Sequence, residues 1–285
     1  MGTANRVKRE LQDTIQMTDV IQTLKDIADA KYYRLMNDRH KFKRFGESFV
    51  EFFRLISLTS AEHPLLSNKN PKVGIVTVTI EGSFLGEFNN KIVRMGFEEY
   101  EKNAQAVFVS VGERPVERLA QYTPKLKVFS GMNIDNIYQT AVAVKDYLVD
   151  EVMNDRLGKI VVCSAKSKSF EEQKTRKTKL LPCDELISKQ AEHVDIIEKV
   201  IEESEPKEVI GILANLWVVT RLYEIFMDTM IASAAAQASF LEDSVDRMKK
   251  EKKRVQLKYL KAKKADIDKS LRETFTSQMM LKEKA

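Results

Sequence analysis

The three histidines and two cysteines are the side chains best suited to hold a metal ion, and their positions do not group. His40, His63 and His193 are scattered, and none stands four residues from another histidine or near a cysteine. Protein metal sites usually draw some of their ligands from short, regular spacings. The sequence therefore predicts no metal site, and it predicts that these histidines lie at the surface or in the core.

Side chains for covalent or acid–base catalysis are equally unassembled. Cys163 and Cys183 form no disulfide framework in a chain of 285 residues, and we interpret them as buried thiols of a reducing compartment. Neither the serines nor the cysteines have a neighbouring base in the sequence. The acidic pairs Glu98–Glu99 and Glu202–Glu203 have the pattern of solvated helix faces. We expect no catalytic residue on this chain.

A glycine-containing turn follows the first β-like segment and could in principle hold a nucleotide. Its sequence is EGSFLGEF, residues 81–88, in which Gly82 and Gly86 are four residues apart. That spacing fits neither the dinucleotide fingerprint nor the P-loop, so we predict an ordinary turn before a helix and no bound cofactor. An enzyme with a nucleotide on this domain remains an alternative that nucleotide binding by the isolated chain would favour.

The strongest charge feature is the basic run RMKKEKKRVQLKYLKAKK, residues 247–264. Composition favours, in order, a solvated coiled-coil face, a nucleic-acid contact and a rod that passes through an acidic partner. Only Tyr259 interrupts the run with an aromatic ring, so stacking on single-stranded nucleic acid is disfavoured. We therefore predict no nucleic-acid partner.

Bulk composition indicates a protein that works in water. The chain has 47 Lys and Arg against 42 Asp and Glu, a net charge of +5. We expect no window with the eighteen or more apolar residues that a membrane helix needs. Any attachment to a membrane should therefore run through partners, without direct insertion.

Glycine and proline are absent from both ends of the chain, between residues 3 and 45 and between residues 212 and 285. Each zone carries a stripe of positions that recur in steps of four and three, which is the pattern of a coiled-coil seam. The stripes are Val7, Leu11, Thr14, Thr18, Ile21, Lys25, Ala28, Tyr32 and Leu35, and Leu241, Val245, Met248, Lys252, Val255, Tyr259 and Ala262. We predict helices over about 4–59 and 208–285, paired antiparallel. The small residues Ala232–Ser239 would let two helices approach closely.

The middle of the chain alternates β-like and helical segments, which predicts an α/β domain with a mainly parallel sheet. The expected strands are 72–80, 105–113, 125–131, 159–169 and an edge strand at 177–186, where Pro182 would disrupt a central one. Helices are expected over 89–103 and 134–156. The predicted fold class is thus a long antiparallel coiled coil flanking a Rossmann-like α/β domain. We predict divisions at 1–60, 61–206 and 207–285.

Several segments resemble, in order, the gamma subunit of F-type ATP synthases. They are NRVKRELQDTIQMTDVIQTLKDIADAKYYRL at 5–35, VTVTIEGSFLGEFNNKI at 76–92, and the segments 155–182, 221–250 and YLKAKKADI at 259–267. Gly86 and Asn89 match the family's turn after its first strand. The family's Met in the first helix is Leu24 here, and its Arg in the last helix is Gln237.

The resemblance implies a non-catalytic rotor subunit that carries torque between a catalytic ring and a membrane ion-translocating rotor. It implies as partners the alpha and beta subunits of F1, an epsilon-type small stalk subunit and the c-ring, at the inner face of an energy-transducing membrane, most simply the bacterial cytoplasmic side. Ring contacts are expected from Leu24, Lys25, Gln237, Lys249, Lys250, Lys252, Lys253, Arg254 and Lys264. An axle of an ATPase that only hydrolyses ATP and a coiled-coil scaffold remain alternatives.

Overall fold

Two long helices begin and end the part of the chain that the computed structural model describes, namely residues 3–56, 63–103, 105–123, 126–183 and 206–282. Helix α1 is Thr3–Ile56 and the final helix is Pro206–Lys282. A proline suits the first helical position, because its missing N–H would have no partner there. Both predicted helices are confirmed; their expected last residues, 57–59 and 283–285, lie outside the described residues.

Five strands between these helices form one sheet in the order β3-β2-β1-β4-β5. The strands are β1 Val73–Val78, β2 Val107–Val111, β3 Lys127–Phe129, β4 Lys159–Ser167 and β5 Gln173–Leu181. All neighbouring pairs are parallel except β4 with β5, which is antiparallel. The mainly parallel sheet is confirmed, and β5 is the edge strand, ending one residue before Pro182.

Three helices connect the strands: α2 Phe88–Tyr100, α3 Val116–Leu119 and α4 Ile137–Met153. Helix α2 buries Ile92, Val93 and Gly96. A Cβ atom at Gly96 would lie 2.9 Å from the Thr77 side chain and 3.3 Å from the ring of Phe108. Glycine at this position therefore lets α2 pack closely on β1 and β2. The final helix is α5 in chain order.

The chain divides into two compact units. One consists of residues 1–28 and 238–285, and its described residues are called the helix pair below; the other, residues 29–237, is called the α/β unit. Helices α1 and α5 each contribute to both units. The division at residues 60 and 206 that the sequence suggests stays a prediction.

The helix pair is antiparallel. Ala4 N–H donates to Asp266 at 3.2 Å, and Lys258 Nζ lies 3.2 Å from the Glu10 carboxylate. Every position of the α5 stripe from Leu241 to Ala262 is buried or half-buried, and so is every α1 stripe position from Val7 to Ala28. The predicted seam is therefore confirmed, although threonines and lysines occupy part of it.

The α/β unit has an apolar core to which α1 and α5 contribute. Its fully buried side chains include Ile75, Phe108, Leu148 and Phe226. The Thr229 hydroxyl of α5 lies 3.3 Å from the carbonyl oxygen of Ala165, at the carboxyl end of β4. The buried alanines 232, 234 and 235 belong to this core. The small-residue run thus lies in a core to which α1 also contributes Tyr32 and Leu35, and the close approach of the two long helices at this run stays a prediction.

Helix α5 also contains an 18-residue window with a mean hydropathy of 1.5, enough by length and composition to cross a membrane. More than half of that window is buried inside the protein. The expectation that no such window exists was therefore wrong. Helix α5 contributes apolar side chains to the core of the α/β unit, and core helices of this kind meet the same compositional test.

Candidate partner-contact surfaces

The basic run on α5 forms a solvated face of the helix pair. Lys249, Lys250, Lys253, Arg254 and Lys264 are exposed, and Lys252 is half-buried in the seam. Within the run, Arg254 pairs with Glu251 at 2.7 Å and Lys258 pairs with Glu10. Among the described residues, the other lysines of the run have no carboxylate within ion-pair distance. The face therefore carries positive charge that is available to a partner.

A second exposed surface lies at the carboxyl end of α5, and sequence reasoning missed it. All side chains from 267 to 279 are exposed, although several are large and apolar. They are Ile267, Leu271, Phe275 and Met279, preceded by the exposed Leu257 and Leu260. The signal was present in the sequence: the seam steps continue onto Asp266, Lys269 and Glu273, so the apolar residues change to another face of the helix.

Leu24 belongs to a similar apolar stripe on α1. The stripe consists of Met17, Val20, Leu24 and Ile27, which follow one another in steps of three or four residues. Met17, Val20 and Ile27 are each nearly 60% exposed. Leu24 itself is half-buried, as is its neighbour Lys25 in the seam. Scattered apolar side chains are normal on a surface, but a helical stripe of this kind indicates a contact that the described chain does not supply. A partner contact at Leu24, which stays a prediction, would therefore involve the whole exposed stripe.

The remaining predicted site residues lie in the α/β unit, around the turn after β1. Gln237 Nε2 of α5 donates to the carbonyl oxygen of Ser83 at 3.1 Å. Gly86 has a positive φ of 53°, and Asn89 both accepts from the Ile80 N–H at 3.1 Å and donates to the Ile80 carbonyl at 2.9 Å. Gly86 and Asn89 therefore shape the turn, and Gln237 ties it to α5.

Chemical groups within the α/β unit are arranged for stability. Over the residues that the structure describes, no three His, Cys, Asp or Glu side chains are grouped closely enough to hold a metal. Burial raises the pKa of the Cys163 thiol to about 12, so it stays protonated at neutral pH. Lys177 Nζ donates to Glu99 at 2.8 Å, and this hydrogen bond lowers the pKa of the Glu99 carboxyl. Such a pair anchors β5 to α2.

The crevice in which doubly wound sheets usually bind nucleotides is occupied by α5. Such a crevice opens at the carboxyl ends of the strands, where successive connections turn in opposite directions. Here that point lies between β1 and β4. Thr229 contacts Ala165 there, and its own hydroxyl donates to the Ile225 carbonyl at 2.7 Å. A nucleotide cannot occupy the same space as this helix.

Comparison with known proteins agrees with this architecture. The chain is 22% identical to the ATP synthase gamma chain of Campylobacter lari over 94% of its own length and 95% of that protein. It is similar to a rotor chain of the mitochondrial ATP synthase of Euglena gracilis, with a TM-score of 0.60 and 14% identity, covering 93% of this chain and 99% of that one. It is also similar to a chain from a structure of the OSCP, F1 and c-ring parts of the same enzyme. The TM-score is 0.63 at 13% identity, and the match covers 98% of this chain and 94% of that one.

The chain thus combines an α/β domain with two long helices that pair antiparallel and carry a basic run and apolar stripes on their surfaces. The structural likenesses above share this fold. Residues 3–278 match the ATP synthase family, and the chain belongs to that family.

Proposed function

We propose that this chain is the gamma-type central rotor of an F-type ATP synthase or ATPase, without a catalytic site of its own. It carries torque between a ring of alpha and beta subunits and the ion-translocating rotor of the membrane. Its other partners are an epsilon-type small stalk subunit and the c-ring, and it works at the inner face of an energy-transducing membrane, bacterial in the simplest case. The observation that carries this proposal is the antiparallel helix pair in a chain that spans nearly the full length of ATP synthase gamma relatives.

The charge pattern of the helix pair suits a rotor that changes partners during each turn. An exposed ion pair contributes only about 0.2–1 kcal/mol, and salt screens it. Lysines such as Lys249, Lys250 and Lys253 can therefore attract acidic loops of a surrounding ring without locking to one of them. A deeply buried salt bridge would instead hold the rotor in one orientation, because removing one partner of such a bridge is costly.

The exposed apolar stripes supply the contacts that do not depend on salt. Ile267, Leu271 and Phe275 are each at least half exposed in the isolated chain. Burying apolar surface stabilises an assembly by roughly 25 cal/mol per Å² before the costs of association. A ring that encloses this end of α5 would bury these side chains whichever way the rotor points. The apolar end of α5 would thus give a salt-independent contact with the ring, and the lysines would give a weak, salt-dependent attraction to it.

Continuity of the two long helices supports torque transfer. Helices α1 and α5 each contribute residues both to the helix pair and to the core of the α/β unit. In the α/β unit, Arg39 of α1 pairs with Asp228 of α5 at 2.8 Å, and Thr229 contacts β4. A twist applied to the helix pair therefore acts on helices that are packed into a dense core, which resists deformation.

Reconstitution with alpha and beta subunits from the same source tests the proposal. A bead attached to the α/β unit should rotate when ATP is added to the surface-anchored complex. The attachment point is a cysteine introduced as Gln121→Cys at an exposed turn, while native Cys163 and Cys183 are buried and should not compete for the label. A matched bead on the same chain without the ring should show no ATP-dependent rotation.

Three outcomes separate the alternatives. Rotation together with ATP-driven ion uptake into inverted vesicles supports the full proposal. Rotation in a complex that never transports ions identifies an axle that only hydrolyses ATP. A chain that stays monomeric and never joins the ring contradicts the rotor proposal and favours a coiled-coil scaffold.

A further inference from the structure

A cavity of about 390 Å³ in the α/β unit has no role in the proposed rotor. It opens at the carboxyl edge of the parallel strands, beside the crevice that α5 occupies. Ile80 and Glu81 follow β1, and the loop from Gly131 to Ile134 follows β3. Loops at this edge of an open α/β sheet are where small ligands bind in proteins of this architecture. The volume lies within the range of about 300–1,000 Å³ that such ligand sites have.

The floor of the cavity is apolar and its rim is cationic. Ile80, Met132 and Met230 form the floor and are each at most 5% exposed. Lys31 and Arg34 project to the rim from α1, where a spacing of three residues places them on one face of the helix. Within the described part of the chain, neither cation has a carboxylate partner.

The one carboxylate at the rim is already engaged. Glu81 Oε1 accepts from the Glu113 N–H at 2.7 Å, and its Oε2 lies 3.6 Å from Arg114 Nε. Arg114 also donates to the Gly82 carbonyl at 2.7 Å. Arg114 therefore balances the charge of Glu81, and the positive charges of Lys31 and Arg34 remain uncompensated.

A third donor is available at the same rim. The side-chain oxygen of Asn133 accepts from the N–H groups of Asp135 and Asn136, at 2.9 and 3.0 Å. This fixes the amide so that its Nδ2 group stays available for a ligand. Together, the ammonium of Lys31, the guanidinium of Arg34 and this amide can donate to a single carboxylate or phosphate group.

We propose that this cavity binds a small amphipathic anion, with a linear apolar body on the floor and one carboxylate or phosphate head at Lys31, Arg34 and Asn133. A nucleotide fits the site poorly. The turn beside it carries the exposed Glu87, which repels a polyphosphate, and it lacks the glycine spacing of a phosphate-binding loop. Because the ligand would bridge α1, two strand ends and α5, binding should also stiffen the α/β unit.

Octanoate, octyl phosphate and octanol are suitable probes for the full-length isolated chain. Methionine-methyl NMR reports the location, because the chain has 11 methionines and, among those that the structure describes, Met132 and Met230 are the two that line the cavity. We expect the methyl signals of Met132 and Met230 to shift while the exposed Met17 and Met279 do not. At least one of the two anions should bind with a dissociation constant below about 1 mM, and the tighter of the two identifies the head group.

The double variant Lys31→Gln with Arg34→Gln should raise that dissociation constant at least about tenfold, because charge-assisted hydrogen bonds are lost. The matched control is Lys8→Gln with Arg9→Gln, the same chemical change at exposed positions of the same helix, which should leave affinity unchanged. Circular dichroism should show both double variants folded. Affinity should rise about three- to fourfold per added methylene while the floor has room.

Three results would overturn the proposal. The first is the absence of saturable binding below about 1 mM for both anions. The second is octanol binding as tightly as the anions, which would reduce the site to an apolar cavity. The third is selective binding of ADP or ATP with shifts at Met132 and Met230, which would make the site a nucleotide site.

Discussion

The helix pair and the α/β unit bury different kinds of side chain. The α/β unit buries large apolar residues such as Phe108, Leu148 and Phe226 completely. The helix pair buries a mixed set, in which Leu241 and Val245 stand beside the small or polar Thr18 and Ala28 and the half-buried Lys252. Hydrophobic free energy scales with the apolar area removed from water, so it is concentrated in the α/β unit.

The difference between the two regions indicates a division of labour. A dense core of interlocking side chains transmits strain and keeps one shape. A seam with threonines and lysines stabilises its helices weakly, and exposed apolar stripes leave part of the stabilisation to partners. We therefore expect the α/β unit to be stable by itself and the helix pair to gain stability when a ring surrounds it.

The largest effect should come from a matched pair of leucine substitutions on α5. Leu222 is fully buried in the α/β unit, and Leu241 is 1% exposed in the helix pair. Leu222→Ala should lower the free energy of unfolding by about 3–5 kcal/mol, because a dense core cannot close around the cavity. Leu241→Ala should lower it by about 2 kcal/mol or less, because two helices can shift together more easily. Urea unfolding followed by circular dichroism measures both.

Both substitutions replace leucine by alanine in the same helix, so helix propensity changes equally in each. Equal losses at the two positions would contradict the comparison and would mean that the helix pair is packed as tightly as the α/β unit. Hydrogen exchange adds a second readout. Amides of the helix pair should exchange faster than those of β1 and β4.

The next effect concerns the surface charge of the helix pair. Replacing Lys249, Lys250, Lys252, Lys253 and Arg254 together by Glu should weaken assembly with the ring by roughly 1–5 kcal/mol at low salt, five terms of about 0.2–1 kcal/mol each. Added salt should restore part of the loss by screening. ATPase activity of the reconstituted complex, measured at low and high salt, reports both effects.

A five-fold Gln variant is the control, and it should lose about half as much, because it removes attraction without adding repulsion. If the Glu variant assembles and turns over like wild type at low salt, the lysines are only a solvated face. If the Glu variant no longer binds DNA or RNA although its ATPase complex is normal, the nucleic-acid interpretation is correct instead.

Periodicity predicted the fold well where one physical requirement dominated. The stripes from Val7 and from Leu241 identified the long helices because a seam must recur every three or four residues. The edge strand expected at 177–186 is β5, but it spans Gln173–Leu181, so Pro182 follows the strand and does not lie within it. The sequence could not tell which element packs against Ala232–Ala235, because small residues allow close approach to any neighbour. The packing partner depends on the tertiary fold.

The contact residues were harder to predict than the fold. Charge density pointed to Lys249–Arg254, whereas the exposed apolar residues Leu271 and Phe275 were missed, although the seam steps had already moved onto charged positions there. Gln237 was expected to contact a partner, which stays a prediction, and its amide donates to the Ser83 carbonyl. A bond between residues this far apart in sequence leaves no local pattern.

A smaller effect should come from the Glu99–Lys177 pair of the α/β unit. Lys177 holds the pKa of the Glu99 carboxyl below its ordinary value of 4.5, so the stabilisation is complete above that value and is lost as the pH falls through the lowered pKa. Glu99→Gln should cost about 1 kcal/mol at pH 7, discounted because Lys177 is 37% exposed. In urea unfolding, the difference in the free energy of unfolding between wild type and Glu99→Gln should disappear below pH 4.5. Glu98→Gln, at an exposed neighbour, should show no such gap, and a gap for Glu99→Gln that persists in acid would contradict the ionic origin.

The smallest effect should come from a single lysine, and it separates a sliding surface from a fixed contact. Lys253 is exposed, and no described carboxylate pairs with it, so in the isolated chain Lys253→Ala removes only charge and a flexible stem. A contact that acidic loops make in turn contributes at most about 0.2–1 kcal/mol to the assembled complex. Assembly and ATP turnover should therefore change less than about fivefold, and the change should vanish at high salt. Lys8→Ala, at an exposed position of α1, provides the matched control. A loss of a hundredfold or more for Lys253→Ala that persists at high salt would show a desolvated, fixed contact at that position, which a freely turning rotor cannot keep.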